Sequence, residues 1–281
     1  MKQLNKDFLQ GFLFDHSDVR GKIVRLNNSI HTIMEQHDYP PVIRSILGEL
    51  LVASVLLSSS LKYEGQMTLQ FQSESGLKML VAKCNHRFEI RGLAQWDTSA
   101  NIDELKDAFF TGQLVITLEN TRDNQRYQSV VEINHQTIAE AIETYFKQSE
   151  QLPTKIILGD DAKHFAGLLV QKMPSHNTDQ VDFWQHVEIL TSTLKPEELI
   201  KWDNQRLLKN LFVEETIRLY DEESVSFKCT CSQEKAENTL RLLGKQEALA
   251  TFSTNKTLVI TCDYCNNHIE FSKQAVEQLF H

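Results

Sequence analysis

The chain has no long run of basic residues, no charge-free apolar stretch long enough to span a bilayer, and only five cysteines among 281 residues. Each scarcity excludes something. Phosphate binding is driven by clustered Lys and Arg, and the formal net charge is −9, so nucleic acid is a poor partner. The N-terminal MKQLNKDFLQGFLFD lacks the apolar segment and small-residue cleavage site of a secretory signal. The most apolar segment, residues 42–60, is interrupted by Arg44 and Glu49, and its uncharged part, Leu50 to Leu61, is too short for a membrane span. It reads as a buried helix, and the protein as soluble and cytoplasmic. No repeat, low-complexity tract, GxGxxG or Walker sequence is present.

Hydrophobic residues make up 41% of the chain, enough to bury a core. Residues 1–176 read as one mixed sheet-and-helix domain. GKIVRL is an early strand, Ser29–Gln36 a helix, and Pro40-Pro41 opens the apolar helix, since proline fits a first helical turn. MTLQFQS (67–73) alternates, with Met67, Leu69 and Phe71 on one face. Strands follow at 77–84, 88–96, 114–120 and 127–134, the last two joined by a TRDNQ hairpin loop. TIAEAIETYFKQSE (137–150) is a helix, and KIILGD and GLLVQKM are closing strands. This succession predicts an α+β fold.

Residues 177–222 change character. After the polar SHNTDQ (175–180), DFWQHVEILTSTL, PEELIKW and QRLLKNLFVEETIRLY read as three short helices. Ten acidic and five basic residues lie between Asp179 and Glu222. Short helices depend on tertiary packing, so this segment reads as a helical linker layered onto a neighbour. Residues 223–281 form a small C-terminal domain with four of the five cysteines. There SQEKAENTLRLLG is a helix with Leu240 and Leu243 buried and Gly244 as C-cap. TLVITC and HIEFS are paired strands, and KQAVEQLF is a last helix.

The four cysteines follow the pattern Cys229-x-Cys231, thirty residues, Cys262-x-x-Cys265. Two close pairs of soft ligands suit one tetrahedral zinc ion. A segment this small, with few large apolar groups, also needs a staple. Spacing alone leaves two readings open: an inert structural zinc module, or a redox site. A CxC disulfide closes a small strained ring, whereas CxxC is a common redox spacing. Oxidising four thiolates to two disulfides would eject the metal and remove the folding energy that depends on it.

Other candidates read more plainly. Cys84 and His86 sit two apart on a strand, which is no evidence of a catalytic pair, and Cys84 reads as a packed thiol. His268 reads as outside the ligand set because four cysteines are already present. Asp160-Asp161 reads as a solvated turn feeding a helix. A zinc-ribbon nucleic-acid module is a competing reading, set against six basic and six acidic residues in 225–281. An enzyme with structural zinc ranks last, because no set of acid, base and nucleophile emerges.

Over nearly its whole length the sequence resembles the heat shock protein 33 family of redox-regulated 33 kDa chaperones. The resemblance rests on LGELLVASVLLSSSLKYEGQMTLQFQ, YFKQSEQLPT, FAGLLVQKMP, LLKNLFVEETIRLY and, last, FKCTCSQEK…LLG…TCDYCN, which follow one another in the same order as in the family. Gln246, where an acidic residue is expected, and His268, where an aromatic is more usual, depart from the family pattern without touching the ligand set. The resemblance implies an N-terminal domain, a helical linker and a C-terminal zinc domain. It implies a holdase that needs no ATP and is not an enzyme. One Zn2+ per chain would be held by Cys229, Cys231, Cys262 and Cys265 in the reduced, inactive state. Under oxidative or heat stress, disulfides Cys229–Cys231 and Cys262–Cys265 would form, zinc would leave and the linker would unfold. The active homodimer would then bind unfolding client proteins.

Overall fold

The fold is described from a computed structural model covering residues 6–61, 63–134, 136–174, 181–253 and 256–280. The polar stretch 175–180, read as a loop, lies outside the described residues. The chain divides into two compact units, Met1–Phe227 and Lys228–His281. In chain order the first unit contains β1 (Phe8–Phe14), β2 (Val19–Leu26), α1 (Asn28–Met34), α2 (Pro41–Ser60), β3 (Gly65–Gln72), β4 (Met79–Asn85), β5 (Glu89–Gln95), α3 (Ile102–Phe110), β6 (Gln113–Asn120), β7 (Gln125–Glu132), α4 (Ile138–Tyr145), β8 (Thr154–Asp160), β9 (Phe165–Lys172), α5 (Val181–Ser192), α6 (Pro196–Lys201), α7 (Asn204–Leu211), β10 (Ile217–Ser224) and β11 (Ser226–Phe227). The second contains α8 (Gln233–Leu243), α9 (Lys245–Ala250), β12 (Leu258–Thr261), β13 (His268–Phe271) and α10 (Lys273–Leu279).

The first unit is built around α2. On one side lies a sheet of order β10-β1-β2-β9-β8, on the other a sheet of order β11-β5-β4-β3-β6-β7. Helix α2 packs on β2, β8 and β9 of the first and on β3, β4 and β5 of the second. This explains a helix that is apolar on nearly every face: Leu47, Leu51, Val55 and Leu57 are all fully buried. Among the described residues α2 is the one helix whose length and composition would also allow a membrane crossing, and here protein fills the place of lipid. Burial, with Asp160 adding to it, pushes the Glu49 carboxyl on this helix up to about 7.

Strand alternation decides which side each residue serves. Phe165 and Leu169 of β9 join the core around α2, while Ala166, Leu168 and Val170 face the opposite way. That opposite face, with Phe12, Phe14, Val19 and Ile23, is covered by Trp184, Val187, Leu194, Leu199, Leu207 and Phe212. The three linker helices therefore lie as a layer on the first sheet. Ring centroids of Phe212 and Phe14 are 4.9 Å apart at 84°, an edge-to-face contact. Asp203 caps α7 by accepting from the Arg206 N–H at 2.9 Å.

Three local expectations are corrected. Residues 205–220 read as one helix, but α7 ends at Leu211 and Ile217–Ser224 is an edge strand paired antiparallel to β1. Ile217 and Leu219 alternate toward the layer while Asp221, Glu222 and Glu223 are exposed; acidic residues suit an open edge. Leu243, expected buried, is 45% exposed, because it falls in the last turn of α8, past the small core that Ala236 and Leu240 join. Asp160-Asp161 do form a turn, but it joins β8 to β9 and not to a helix.

Candidate metal centre

Two backbone devices deliver four sulfur atoms to one place. Strands β12 and β13 form an antiparallel hairpin, and its connection is Cys262-Asp263-Tyr264-Cys265-Asn266-Asn267. The Cys265 and Asn266 N–H groups both donate to the Cys262 carbonyl, at 3.3 and 2.8 Å, and the Cys262 N–H donates to the Asn267 carbonyl at 3.0 Å. Asn266 takes φ of 50°, a left-handed conformation that asparagine tolerates better than most residues. The tight turn aims both sulfurs the same way. The other pair, Cys229 and Cys231, lies in irregular backbone between β11 and α8. Ser232 caps α8 by accepting from the Lys235 N–H at 3.3 Å. The Lys235 ammonium reaches back to the Thr230 carbonyl and hydroxyl at 2.6 and 2.9 Å, which pins the residue between the two cysteines.

Ligand atoms of all four cysteines lie within 4.8 Å of one another, and each cysteine is partly exposed. Cys229 Sγ is 3.6 Å from Cys262 Sγ, and Cys231 Sγ is 3.5 Å from Cys265 Sγ. A tetrahedron with metal–sulfur bonds of about 2.3 Å has edges of about 3.8 Å, so the set has the size a zinc-like ion needs. The chemistry agrees. Burial, and hydrogen bonds that the Cys265 thiol donates to its three cysteine neighbours, push it well above its ordinary value, although the Asn267 N–H favours the thiolate. A cation among the sulfurs would favour the ionised, ligating form of the Cys265 thiol. The surrounding core is small, with six buried apolar residues: Ala236, Leu240, Ala248, Leu258, Phe271 and Val276.

The remaining candidates fall away from this cluster. The His268 ring shares a hydrogen bond with the Thr261 hydroxyl at 2.9 Å and is not one of the four clustered groups. His86 Nδ1 accepts from the Gly65 N–H at 3.1 Å, so it serves the backbone and not Cys84. Cys84 is fully buried, and burial pushes its thiol up to about 12 against a weaker opposing effect of Ser58. At neutral pH it holds almost no thiolate, the reactive form. Iodoacetamide applied to the folded protein is expected to leave Cys84 unmodified, and urea is expected to make it reactive. Peptide mass spectrometry finding it alkylated as fast as a free thiol in the folded protein would contradict this. Lys235 was missed from the sequence; the only signal was its place one turn into a helix that follows the CxC pair.

Comparison with known proteins shows which family the chain belongs to. The sequence model of the family described as Hsp33 protein matches residues 7–272. A 33 kDa chaperonin of Nitrosococcus oceani is 38% identical over 276 residues, covering 98% of this chain and 95% of the relative. One of Shewanella oneidensis is 39% identical over 278 residues, covering 99% and 96%. The crystal structure of a 33 kDa chaperonin (heat shock protein 33 homolog) from Thermotoga maritima has the same fold, with TM-score 0.80, 24% identity, and coverage of 98% of this chain and 97% of that one. The chain belongs to the heat shock protein 33 family of chaperones.

Proposed function

We propose that this protein is a cytoplasmic, ATP-independent holdase governed by oxidation of its four-cysteine cluster, and that it is not an enzyme. The observation that carries the reading is the convergence of Cys229, Cys231, Cys262 and Cys265 within 4.8 Å, in a unit whose own core is small. In the reduced state the four thiolates hold one Zn2+, which supplies folding energy to residues 228–281. Two equivalents of a two-electron oxidant, a peroxide or hypochlorite, take four electrons from the four sulfurs. Two S–S bonds form, Cys229–Cys231 and Cys262–Cys265, and the oxidant is reduced to water or chloride. The sulfurs then no longer ligate, and the second unit loses the energy that the metal gave it.

Two sulfur contacts run across the motifs, Cys229 to Cys262 at 3.6 Å and Cys231 to Cys265 at 3.5 Å. Pairing within each motif therefore exchanges these contacts for bonds between Cys229 and Cys231 and between Cys262 and Cys265, whose sulfurs also lie within 4.8 Å of each other. Residues 181–211 would then leave the first sheet, and the apolar face under them would take up unfolding clients. The oxidised form acts as a homodimer. Six basic and six acidic residues share 225–281, so phosphate binding has no net charge to draw on.

Aggregation of a heat-denatured client, followed by light scattering, tests the reading. Protein oxidised with peroxide and mild heat should suppress scattering, and zinc-loaded reduced protein should not. Equal behaviour of the two forms would overturn it.

A further inference from the structure

A buried cation sits between the first sheet and its helical layer. Arg25 of β2 is 5% exposed. Its Nε donates to Asn204 Oδ1 at 2.7 Å, one Nη to the Leu199 carbonyl at 2.9 Å, and the other Nη to the Trp202 carbonyl at 2.6 Å. These carbonyls belong to the C-terminal end of α6, where helical carbonyls lack partners within the helix. Asn204, fully buried at the start of α7, passes the chain on: its Nδ2 donates to Gln10 Oε1 at 2.8 Å. Gln10 Nε2 then donates to the Tyr220 carbonyl at 2.8 Å. That last acceptor sits where β10 slips register against β1, between the pairs Gln10↔Glu222 and Phe12↔Leu219. One residue of β1, Gly11, faces two of β10, Tyr220 and Asp221, so a bulge frees main-chain groups and the glutamine satisfies one of them.

The polar chain therefore runs from the α6 end, through β2 and β1, to the strand that leads toward Cys229. We propose that Arg25 is the positioning residue that latches the helical layer to the first sheet, and that Asn204 and Gln10 couple this latch to β10. The proposal rests on reading the layer as the part that is released. Two features fit a latch better than permanent cement. First, no carboxylate is hydrogen-bonded to the guanidinium among the described residues; the Asp203 charge acts on it only through space. A buried cation held by neutral acceptors gives up much of its hydration, and regains it when the layer lifts. Burial accordingly lowers the Arg25 pKa to about 10. Second, the contacts are directional. They fix where α6 and α7 sit, because a hydrogen bond weakens steeply with small changes of angle and distance.

The test uses the full-length, reduced, zinc-loaded protein and the variants Arg25→Ala and Asn204→Ala. Hydrogen exchange is followed by mass spectrometry over residues 183–211, with α2 as the internal reference and bound zinc assayed in parallel. Exchange in the layer is expected to rise roughly tenfold or more in both variants, with α2 protection and zinc content unchanged. Unchanged exchange in the layer would overturn the latch. So would a rise shared equally by α2, which would make Arg25 a general core residue. Neither oxidant nor client enters the measurement, so failure of the redox reading would show separately, in the scattering assay.

Discussion

Cys262→Ser is expected to abolish stable zinc binding and to unfold residues 228–281 while the first unit stays folded. Zinc bound by four sulfurs contributes about 10–16 kcal/mol to a small domain. Against that, six buried apolar residues, two of them alanine, form the core of the second unit. A core of this size leaves little after conformational entropy is counted. Cys262 also anchors the hairpin turn through its carbonyl, which accepts from Cys265 and Asn266, so the loss of its sulfur removes a ligand without removing these bonds. The turn alone should not hold the unit. The measurement is zinc stoichiometry with a chelating dye, together with hydrogen exchange over 228–281 and over α2. One zinc per chain retained at nanomolar free metal, or full protection of 228–281 in its absence, would show that the metal is not the staple.

Phe212→Ala is expected to cost about 3–5 kcal/mol of the docking of the helical layer. Phe212 is 1% exposed, and its ring contacts those of Phe14 and Phe12 at 4.9 and 6.5 Å. Truncation would leave a cavity between layer and sheet that rigid strands cannot close. Urea unfolding followed by tryptophan fluorescence reports mainly the layer, since Trp184 and Trp202 pack in it and only Trp96 packs against the core around α2. An early transition in fluorescence, ahead of far-UV circular dichroism, is the expected signature. A single coincident transition at the wild-type midpoint would mean that the ring contributes nothing to docking.

The sequence made the core elements legible because their patterns are strong. Met67, Leu69 and Phe71 alternate as a strand must, and all three are buried. The cysteine spacing was enough to expect one cluster, since two short motifs at the ends of a compact segment have few other uses. Other elements were illegible, and two show different reasons. Helix α3 was not read at all, although Asn101 and Glu104 form a capping box whose N-x-x-E spacing announces it. Strand β10 reads as the tail of the helix that opens in QRLLKNLF, although its Thr, Ile and Tyr favour a strand; what decides it is the distant edge of β1. Arg25 was illegible for a third reason. A lone arginine in an apolar strand looks like a surface residue until the layer above it is placed.

The position of β10 carries one more consequence. The helical layer begins after β9 and ends before β10, and both strands lie in the same sheet. While both remain paired, a lifted layer is a closed loop tethered at two points. Its return is then intramolecular, with a rate independent of protein concentration and a closure entropy that grows only slowly with loop length. Peeling the exposed edge strand β10 from β1, together with release of the short β11 from β5, would free one tether. The same segment would then become a long one-ended arm, able to reach beyond its own sheet and slow to find its way back.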